Sequence, residues 1–418
     1  MRNVSSRQSP EYIERTVNGR IIPICQVTEA DVGAWRDLAE RAIEPNPLFE
    51  ADCIIPTARY LPNGDQISLV IAEEEGRFFG CFPVIRVPGN ARACGSWPGI
   101  RRPALKNVVS RLPYDCTPLV TGERGVEAAT ALLSALTDRS RARDTGILVL
   151  ERLDSDGPVS SYIESAANGL GLPIYTYHSW SRPVVRRRDE LTYRSIHGSD
   201  TLRKFAKKRR RLGEQLGGEV QLVDRSADAS AIEALLAIEA AGWKGNVDAA
   251  ARSGGGALVL HAGEPEWLRD MCDRFRAAGR LVLYSLQVGD SILAMQLMLR
   301  GGEGMFDLMM VFDQDYARYS PGNQLILDAI DRFHTATDAH WLDTCAGEND
   351  PTALRMYPDR RTVSTVVLAV GGSIDRLCFR LSAPVFLALG ADSVLRRRHG
   401  HVIGTLDWVM SKVKLLPQ

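Results

Sequence analysis

Phe312-Asp313-Gln314-Asp315-Tyr316-Ala317-Arg318-Tyr319-Ser320-Pro321-Gly322-Asn323-Gln324-Leu325 is the stretch on which the reading of this chain turns. The apolar run before it, Gly304 to Phe312, reads as a strand, and a helix runs from Pro321 to about Thr337. Ser320 fits the N-cap, and Pro321 fits the first helical position, where a missing N–H costs nothing. Gly322 would let a ligand approach the backbone. Leu325, Ile326, Ala329, Ile330 and Phe333 form a helical apolar stripe that packs the helix on a sheet. The free N–H groups of the first turn make an anion site suited to a pyrophosphate. Ser-Pro-Gly alone is first of all the mark of an ordinary capped helix.

Working outward, the same succession of elements occurs twice, with an extra helix and strand placed around the hairpin of the second half. In the first half, Arg20 to Gln26 reads as a strand and Glu29 to Ile43 as a helix stopped by Glu44-Pro45-Asn46-Pro47. Ile67 to Glu73 and Phe78 to Val87 form a hairpin. Gly125 to Arg141 is a helix, Ile147 to Leu153 a strand, Val159 to Leu170 a helix and Pro173 to Val185 a strand. In the second half, the strand Glu219 to Val223 and helices Ala229 to Ala241 and Pro265 to Ala278 come first. A hairpin of Leu281 to Val288 and Ser291 to Arg300 follows, turning at Gly289-Asp290. After the strand and helix of the opening stretch come a strand His340 to Thr344, a short helix Pro351 to Met356 and a strand Arg361 to Val370. The expectation is an α/β fold with mixed sheets in two domains, 19–190 and 191–372, and a helical tail, 373–418. Met1 to Asn18 reads as a loose lead-in.

At 418 residues the chain exceeds one ordinary domain. Lys plus Arg and Asp plus Glu are equal at 51 each, so no global field favours nucleic acid. The eight cysteines have no C-x-x-C spacing, which argues against a zinc site or a disulfide framework and for reduced cysteines in the cytoplasm. No metal is expected. The N-terminus lacks the apolar core of a signal peptide, and no apolar run is long enough to span a bilayer.

With these residues in view, the chain resembles the GNAT acyltransferase superfamily, and within it the CelD/BcsL-like enzymes with a GNAT domain of type 6. The resemblance runs from about Trp35 to Val370. It is carried by Pro45-Asn46-Pro47-Leu48-Phe49, the basic helix Arg203 to Leu212, Gly242-Trp243-Lys244-Gly245, and Phe306-Asp307 through Tyr316-Ala317-Arg318-Tyr319-Ser320-Pro321-Gly322. It implies an acyl-CoA-dependent N- or O-acyltransferase. The CoA pyrophosphate would lie on Tyr319, Ser320, Pro321, Gly322, Asn323 and Gln324, where the superfamily commonly has Arg/Gln-x-x-Gly-x-Gly/Ala. The resemblance also implies that acetyl-CoA or a longer acyl-CoA is the donor, and that a backbone N–H of the strand before the loop holds the oxyanion.

The superfamily commonly carries Asn-x-x-Ala-x-x-x-Tyr after its fifth strand, and this chain has Asp350-x-x-Ala353-x-x-x-Tyr357. The resemblance makes Tyr357 the acid for the departing thiolate; the plain alternative is a packed aromatic. An amine acceptor, with a pKa near 10, must lose a proton before it attacks, so a carboxylate near the strand mouth is required. Asp313 lies nearest the switch from strand to loop and is the first choice for the base. Asp307 shares its parity, Glu239 sits on the preceding helix and Asp343 on the next strand; any of them could instead be a surface charge. Trp243 and Lys244 precede the loose stretch Asn246 to Gly256, a candidate lid over the acceptor.

The acceptor class expected is a small molecule or a glycan or lipid precursor. The helix Arg203–Arg211 is amphipathic, with Leu202, Phe205, Leu212 and Leu216 on its apolar stripe. Its cations could meet the CoA 3′-phosphate, an acidic acceptor, tRNA or anionic lipid, or simply face water. Two alternatives stay open: an aminoacyl-tRNA-dependent transferase of the FemAB kind, and a degenerate GNAT pair that only binds.

Overall fold

The structure is a computed structural model that describes residues 16–87, 103–107, 116–138, 145–188, 198–248 and 256–382. Most of the loose lead-in, most of the Asn246 to Gly256 stretch and the tail from 383 onward lie outside these residues; 373–382 are helical. The elements of the first half are β1 (Asn18–Pro23), α1 (Glu29–Arg41), α2 (Ala51–Tyr60), β2 (Ser68–Glu74), β3 (Arg77–Val87), β4 (Ala104–Asn107), β5 (Leu119–Val120), α3 (Gly125–Thr137), β6 (Ile147–Asp154), α4 (Pro158–Gly169) and β7 (Ile174–Arg186). Those of the second half are α5 (Ser199–Leu216), β8 (Gln221–Asp224), α6 (Ala231–Ala241), α7 (Glu264–Ala277), β9 (Leu281–Val288), β10 (Ser291–Gly301), β11 (Gly304–Phe312), α8 (Pro321–Ala336), β12 (Trp341–Asp343), α9 (Pro351–Met356) and β13 (Asp359–Ala369).

Local chemistry accounts for several boundaries. Thr28 and Asp31 form a capping box that opens α1, whose period of 3.6 buries Val32, Trp35, Leu38 and Ala39. Gly289, at φ 53°, makes the β9–β10 turn. Arg187 closes the C-terminus of α8 by donating to the carbonyls of Phe333 (2.8 Å), Thr337 (2.6 Å) and Ala339 (2.6 Å). Helix α2 was not expected, because Pro56 sits inside it.

One mixed sheet runs through both halves in the order β1-β2-β3-β4-β6-β13-β7-β12-β11-β10-β9-β8, with β5 paired to β3. This is the mixed α/β fold expected from the sequence. Each half supplies the same series. An antiparallel run β1-β2-β3-β4 ends in a parallel step to β6, and β8-β9-β10-β11 ends in a parallel step to β12. Beyond those steps the halves exchange strands. The neighbour of β6 is β13, from the second half, and the neighbour of β12 is β7, from the first. Strands β7 and β13 then pair antiparallel over most of their length.

Helix α2 crosses in the same sense. Leu48 and Cys53 belong to the apolar cluster built on Trp267, Met271 and Phe275 of α7. The Trp267 indole donates to Thr57 Oγ1 at 3.1 Å. At the start of α2, the Glu50 carboxylate, 4% exposed, takes two bonds of 2.6 Å from the Arg280 guanidinium. Removing one partner of such a buried pair strands the other charge. Arg280→Ala should therefore cost about 3–5 kcal/mol in urea denaturation. Arg269→Ala, which breaks the exposed pair with Glu233, should cost less than about 1 kcal/mol.

Candidate functional site

The site begins where two parallel strands stop pairing. Gly304, Met305 and Phe306 of β11 register with Trp341, Leu342 and Asp343 of β12, and the ladder ends there. On β12 the Asp343 carboxylate accepts from the Cys345 amide at 2.7 Å, and Cys345 takes a left-handed φ of 51°. Thr344 Oγ1 donates to Pro183 O of β7 at 2.8 Å, holding the turning chain. On β11 the register against β10 slips, because Met298 faces Asp307 and Leu297 faces Met309. Leu308 is thus the extra residue of a bulge, a device that re-aims side chains and ends pairing. Between the parted strands lies a cavity of about 320 Å³, lined by Lys244, Asp307, Met310, Ile326, Cys345 and Tyr357 among others.

Two polar side chains of its lining, Asp307 and Tyr357, meet a third that is buried, Gln296. Asp307 Oδ2 accepts from Gln296 Nε2 of β10 at 2.6 Å and from the Tyr357 hydroxyl at 3.1 Å. Burial pushes the Asp307 carboxyl up to about 7, against the two hydrogen bonds, with help from the nearby charges of Asp350 and Asp343. Tyr357 is held well above its ordinary value, first by burial and then by Asp307. Gln296, 1% exposed, keeps its carbonyl oxygen without a hydrogen-bond partner among the described residues. Asp350 caps α9 by accepting from Thr352 N and Ala353 N, both at 2.9 Å, and so sets the turn that ends at Tyr357. The structure therefore brings Asp307 and Tyr357 together. It adds Gln296, which the sequence reading missed; the available signal was one amide inside the apolar run Leu293-Ala294-Met295-Gln296-Leu297-Met298-Leu299.

The other residues singled out from sequence take these places. Asp313 accepts from Asp315 N at 3.0 Å, capping the 3-10 turn Gln314–Tyr319, and is not among the residues lining the cavity. Glu239 is buried, accepting from Leu258 N at 2.8 Å and lying 3.5 Å from Lys244 Nζ, so it anchors the chain that returns after Lys244. Lys244 lines the cavity. Trp243 is 53% exposed and borders a small recess with Met310, Phe312 and Gln314. Asp343 is fully buried between Arg361 (3.1 Å) and Arg182 (3.6 Å).

The start of α8 differs in detail from the sequence reading. Ser320 stands at the N-cap but in the left-handed region, φ 56°, with no capping bond from its side chain. Its hydroxyl instead accepts from Lys208 Nζ of α5 at 2.8 Å. Gly322 faces the sheet rather than solvent. A Cβ there would lie 2.8 Å from Met310 Sδ and 3.4 Å from Phe312, so the glycine lets α8 pack close to β11. Pro321 has no N–H, and the amides of Gly322 and Asn323 precede the helix's first bond, from Gln324 N to Ser320 O at 3.2 Å. Tyr319 is tied to α5 through Gln215 Oε1 at 2.7 Å. A helix N-terminus with one ammonium group beside it is chemistry that fits a phosphate.

With this geometry in hand, comparison with known proteins is informative. Residues 199–350 match the family model described as an acetyltransferase (GNAT) domain. No curated protein sequence matches the chain significantly. Among solved structures, that of FemX is similar with a TM-score of 0.54 at 8% identity, covering 84% of this chain and 98% of that one. The C-terminal DUF2156 domain of a putative lysylphosphatidylglycerol synthetase from Agrobacterium fabrum gives 0.47 at 13% identity, over 85% and 96% of the two chains. A tandem GNAT protein from the clavulanic acid biosynthesis pathway gives 0.41 at 14% identity, over 85% and 100%. The likeness to FemX is one of fold. Among the described residues no helix is long and apolar enough to cross a membrane.

Two outcomes follow from the packing. Asp307 should lose its proton near pH 4 when unfolded and near pH 7 when folded, so stability falls as pH rises through that window and then levels. Asp307→Asn should flatten that fall, seen as a smaller difference between urea midpoints at pH 5 and pH 8. Gly322→Ala should destabilise by about 1–3 kcal/mol through overpacking against Met310. Adding Met310→Ala should recover part of it, a coupling measurable by a double-mutant cycle.

Proposed function

We propose that this chain is an acyltransferase of the CelD/BcsL-like GNAT kind, moving an acyl group from acyl-CoA to an amine or hydroxyl acceptor. The observation that carries the reading is the buried Asp307–Tyr357–Gln296 cluster at the mouth of the parted strands β11 and β12. The match of residues 199–350 to an acetyltransferase domain supports it. We infer further that the acceptor is a small molecule or a glycan or lipid precursor, and that the enzyme works in the cytoplasm.

The pyrophosphate of the donor would rest on the first turn of α8 beside Lys208, and the thioester would enter the cavity past Ile326 and Met310. The acceptor would approach from the side of Trp243 and Lys244. Asp307 takes the acceptor's proton as the nucleophile attacks the thioester carbon. The C–S bond then breaks and the pair of electrons leaves with sulfur. Tyr357, bonded to Asp307, passes a proton to the thiolate and regains one from the Asp307 carboxyl. The net transfer runs from a carboxyl near 7 to a thiolate near 8.5, which is downhill. Asp307 and Tyr357 thus work as one coupled unit. This assigns the base to Asp307 in place of Asp313, which caps its own loop.

A second reading, transfer from an aminoacyl-tRNA ester, draws on the exposed cations Lys204, Lys207 and Arg211 of α5. It would be favoured by salt-sensitive tRNA binding without stabilisation by any CoA ester.

The activity test uses acetyl-CoA and longer acyl-CoAs with a panel of amine and hydroxyl acceptors. The log of kcat/KM should rise with pH and level near 7, where Asp307 ionises. Asp307→Asn should lower kcat by about 100- to 10,000-fold and erase that limb. Tyr357→Phe should cost less, because the leaving thiolate needs little help. Asp313→Asn with a loss as large as that of Asp307→Asn would return the base to Asp313.

A further inference from the structure

A second cavity, of about 520 Å³, lies between α5 and α8 and is not used by the chemistry above. Its α5 wall is Leu202, Phe205, Ala206 and Arg209, spaced to share one helix face, and its α8 wall is Gln324, Leu327 and Asp328. The floor is apolar and includes a half-buried aromatic ring. One end is closed by the pair Arg209–Asp328 at 2.6 Å, with Arg209 also donating to Val220 O at 2.8 Å. That pairing offsets the one carboxylate in the groove.

Gln324 is the informative side chain. It is 1% exposed, its Nε2 donates to Tyr319 O at 2.9 Å, and its carbonyl oxygen has no hydrogen-bond partner among the described residues. The Nε2 bond fixes which end of the amide is the acceptor. A buried, oriented acceptor beside an aromatic ring and an apolar floor suits a flat heteroaromatic that carries an exocyclic N–H donor. Cations stand at the rim. Lys208 Nζ sits on Ser320 at the first turn of α8, and the exposed Arg203 lines the opening. Lys208 and Arg203 suit phosphate groups attached to such a ring. The α8 turn between Ser320 and Gln324 joins this groove to the thioester cavity, since Ile326 lines one and Gln324 the other.

We propose that the α5–α8 groove is a nucleotide subsite that holds the adenine and 3′-phosphate of the CoA donor, wrapping the donor around the N-terminus of α8. Gln324 accepts from the exocyclic amine, Phe205 packs on the ring, and Arg203 meets the 3′-phosphate, while Lys208 stays with the pyrophosphate at the first turn of α8. This rests on the acyl-CoA reading, so the probes divide the donor into its parts. The probes are adenosine 3′,5′-bisphosphate alone, acetyl-phosphopantetheine, which lacks the nucleotide, and acetyl-CoA. Binding is measured by calorimetry on the full chain.

Wild type should bind adenosine 3′,5′-bisphosphate and should bind acetyl-CoA more tightly than acetyl-phosphopantetheine. Phe205→Ala and Gln324→Met should each weaken the bisphosphate about tenfold, the scale of a single stacking or buried hydrogen-bond contact, and shrink the preference for acetyl-CoA. A merely structural role for Gln324 would weaken acetyl-CoA and acetyl-phosphopantetheine alike and leave that preference unchanged, which would overturn the assignment. Equal binding of acetyl-CoA and acetyl-phosphopantetheine by wild type would overturn it as well. If the bisphosphate binds and both variants weaken it while neither thioester binds, the groove stands as a nucleotide site and the acyl-CoA reading falls.

Discussion

The parting of β11 from β12 is the constraint on which the rest of the molecule depends. Parallel strands that stay paired leave no room between them, and a ladder that ends early exposes backbone that must be satisfied elsewhere. Here both strands contribute to the break. Asp343 turns its carboxylate to the amide of Cys345, and Leu308 adds a residue to β11 that β10 does not match. The gap is walled by α8 on one side, so the same helix can present its N-terminus to a phosphate and its side chains to the cavity. A straight β11 would aim Asp307 differently and lose the contact with Tyr357, whose own position is set by the α9 cap at Asp350.

The exchange of β7 and β13 explains why the break does not unravel the sheet. β12 is only Trp341–Asp343, too short to hold an edge. It is flanked by β7, whose residues Val184, Val185 and Arg186 pair with it, and β7 is locked along its length by β13. The buried charges gathered there tie the same strands. Asp343 is shared by Arg182 of β7 and Arg361 of β13, and Arg361 also reaches Asp154 of β6 at 3.1 Å. Four strands from two halves of the sequence meet in this one network, beside the cavity. Its burial is costly and its geometry specific, as expected of a feature kept to fix an arrangement rather than to add stability.

Much of the local structure was legible because it is written in short-range chemistry. The strand Gly304–Phe312 and the helix Pro351–Met356 fall at the bounds read from sequence, and the hairpin at Gly289 turns where expected. Helix α2 was hidden by Pro56, and β4 and β5 by their length. Strand exchange leaves no local trace, since β13 has the same pattern whichever strands it pairs with. At the site, the spacing Asp350 to Tyr357 pointed to the right turn. Parity placed Asp307 and Asp313 on one face, but the bulge at Leu308 breaks that parity between them, and Asp313 goes to a loop cap. Gly322 reads from sequence as a point of close backbone approach by a ligand, and the structure shows a close approach there to Met310. A glycine signals close approach without saying of what.

The Asp307 cluster has a cost that its neighbours do not relieve. Two donors lie within hydrogen-bond reach of the carboxylate, yet burial outweighs them and leaves the group titrating near neutrality. A purely structural aspartate in this place would be expected to gain an arginine partner, as Asp343 and Glu50 have. Gln296 carries the same mark, since among the described residues its carbonyl oxygen is left unpaired next to a carboxylate that would repel a second acceptor. A protonated carboxyl could donate where an ionised one cannot, so the cluster is poised between two protonation states rather than optimised for either. Groups shifted in this way by desolvation, at the open end of a parted strand pair, have the property that the proposed proton transfer would need. On the proposed reading, stability is given up where the chemistry requires a carboxyl that can both take and return one.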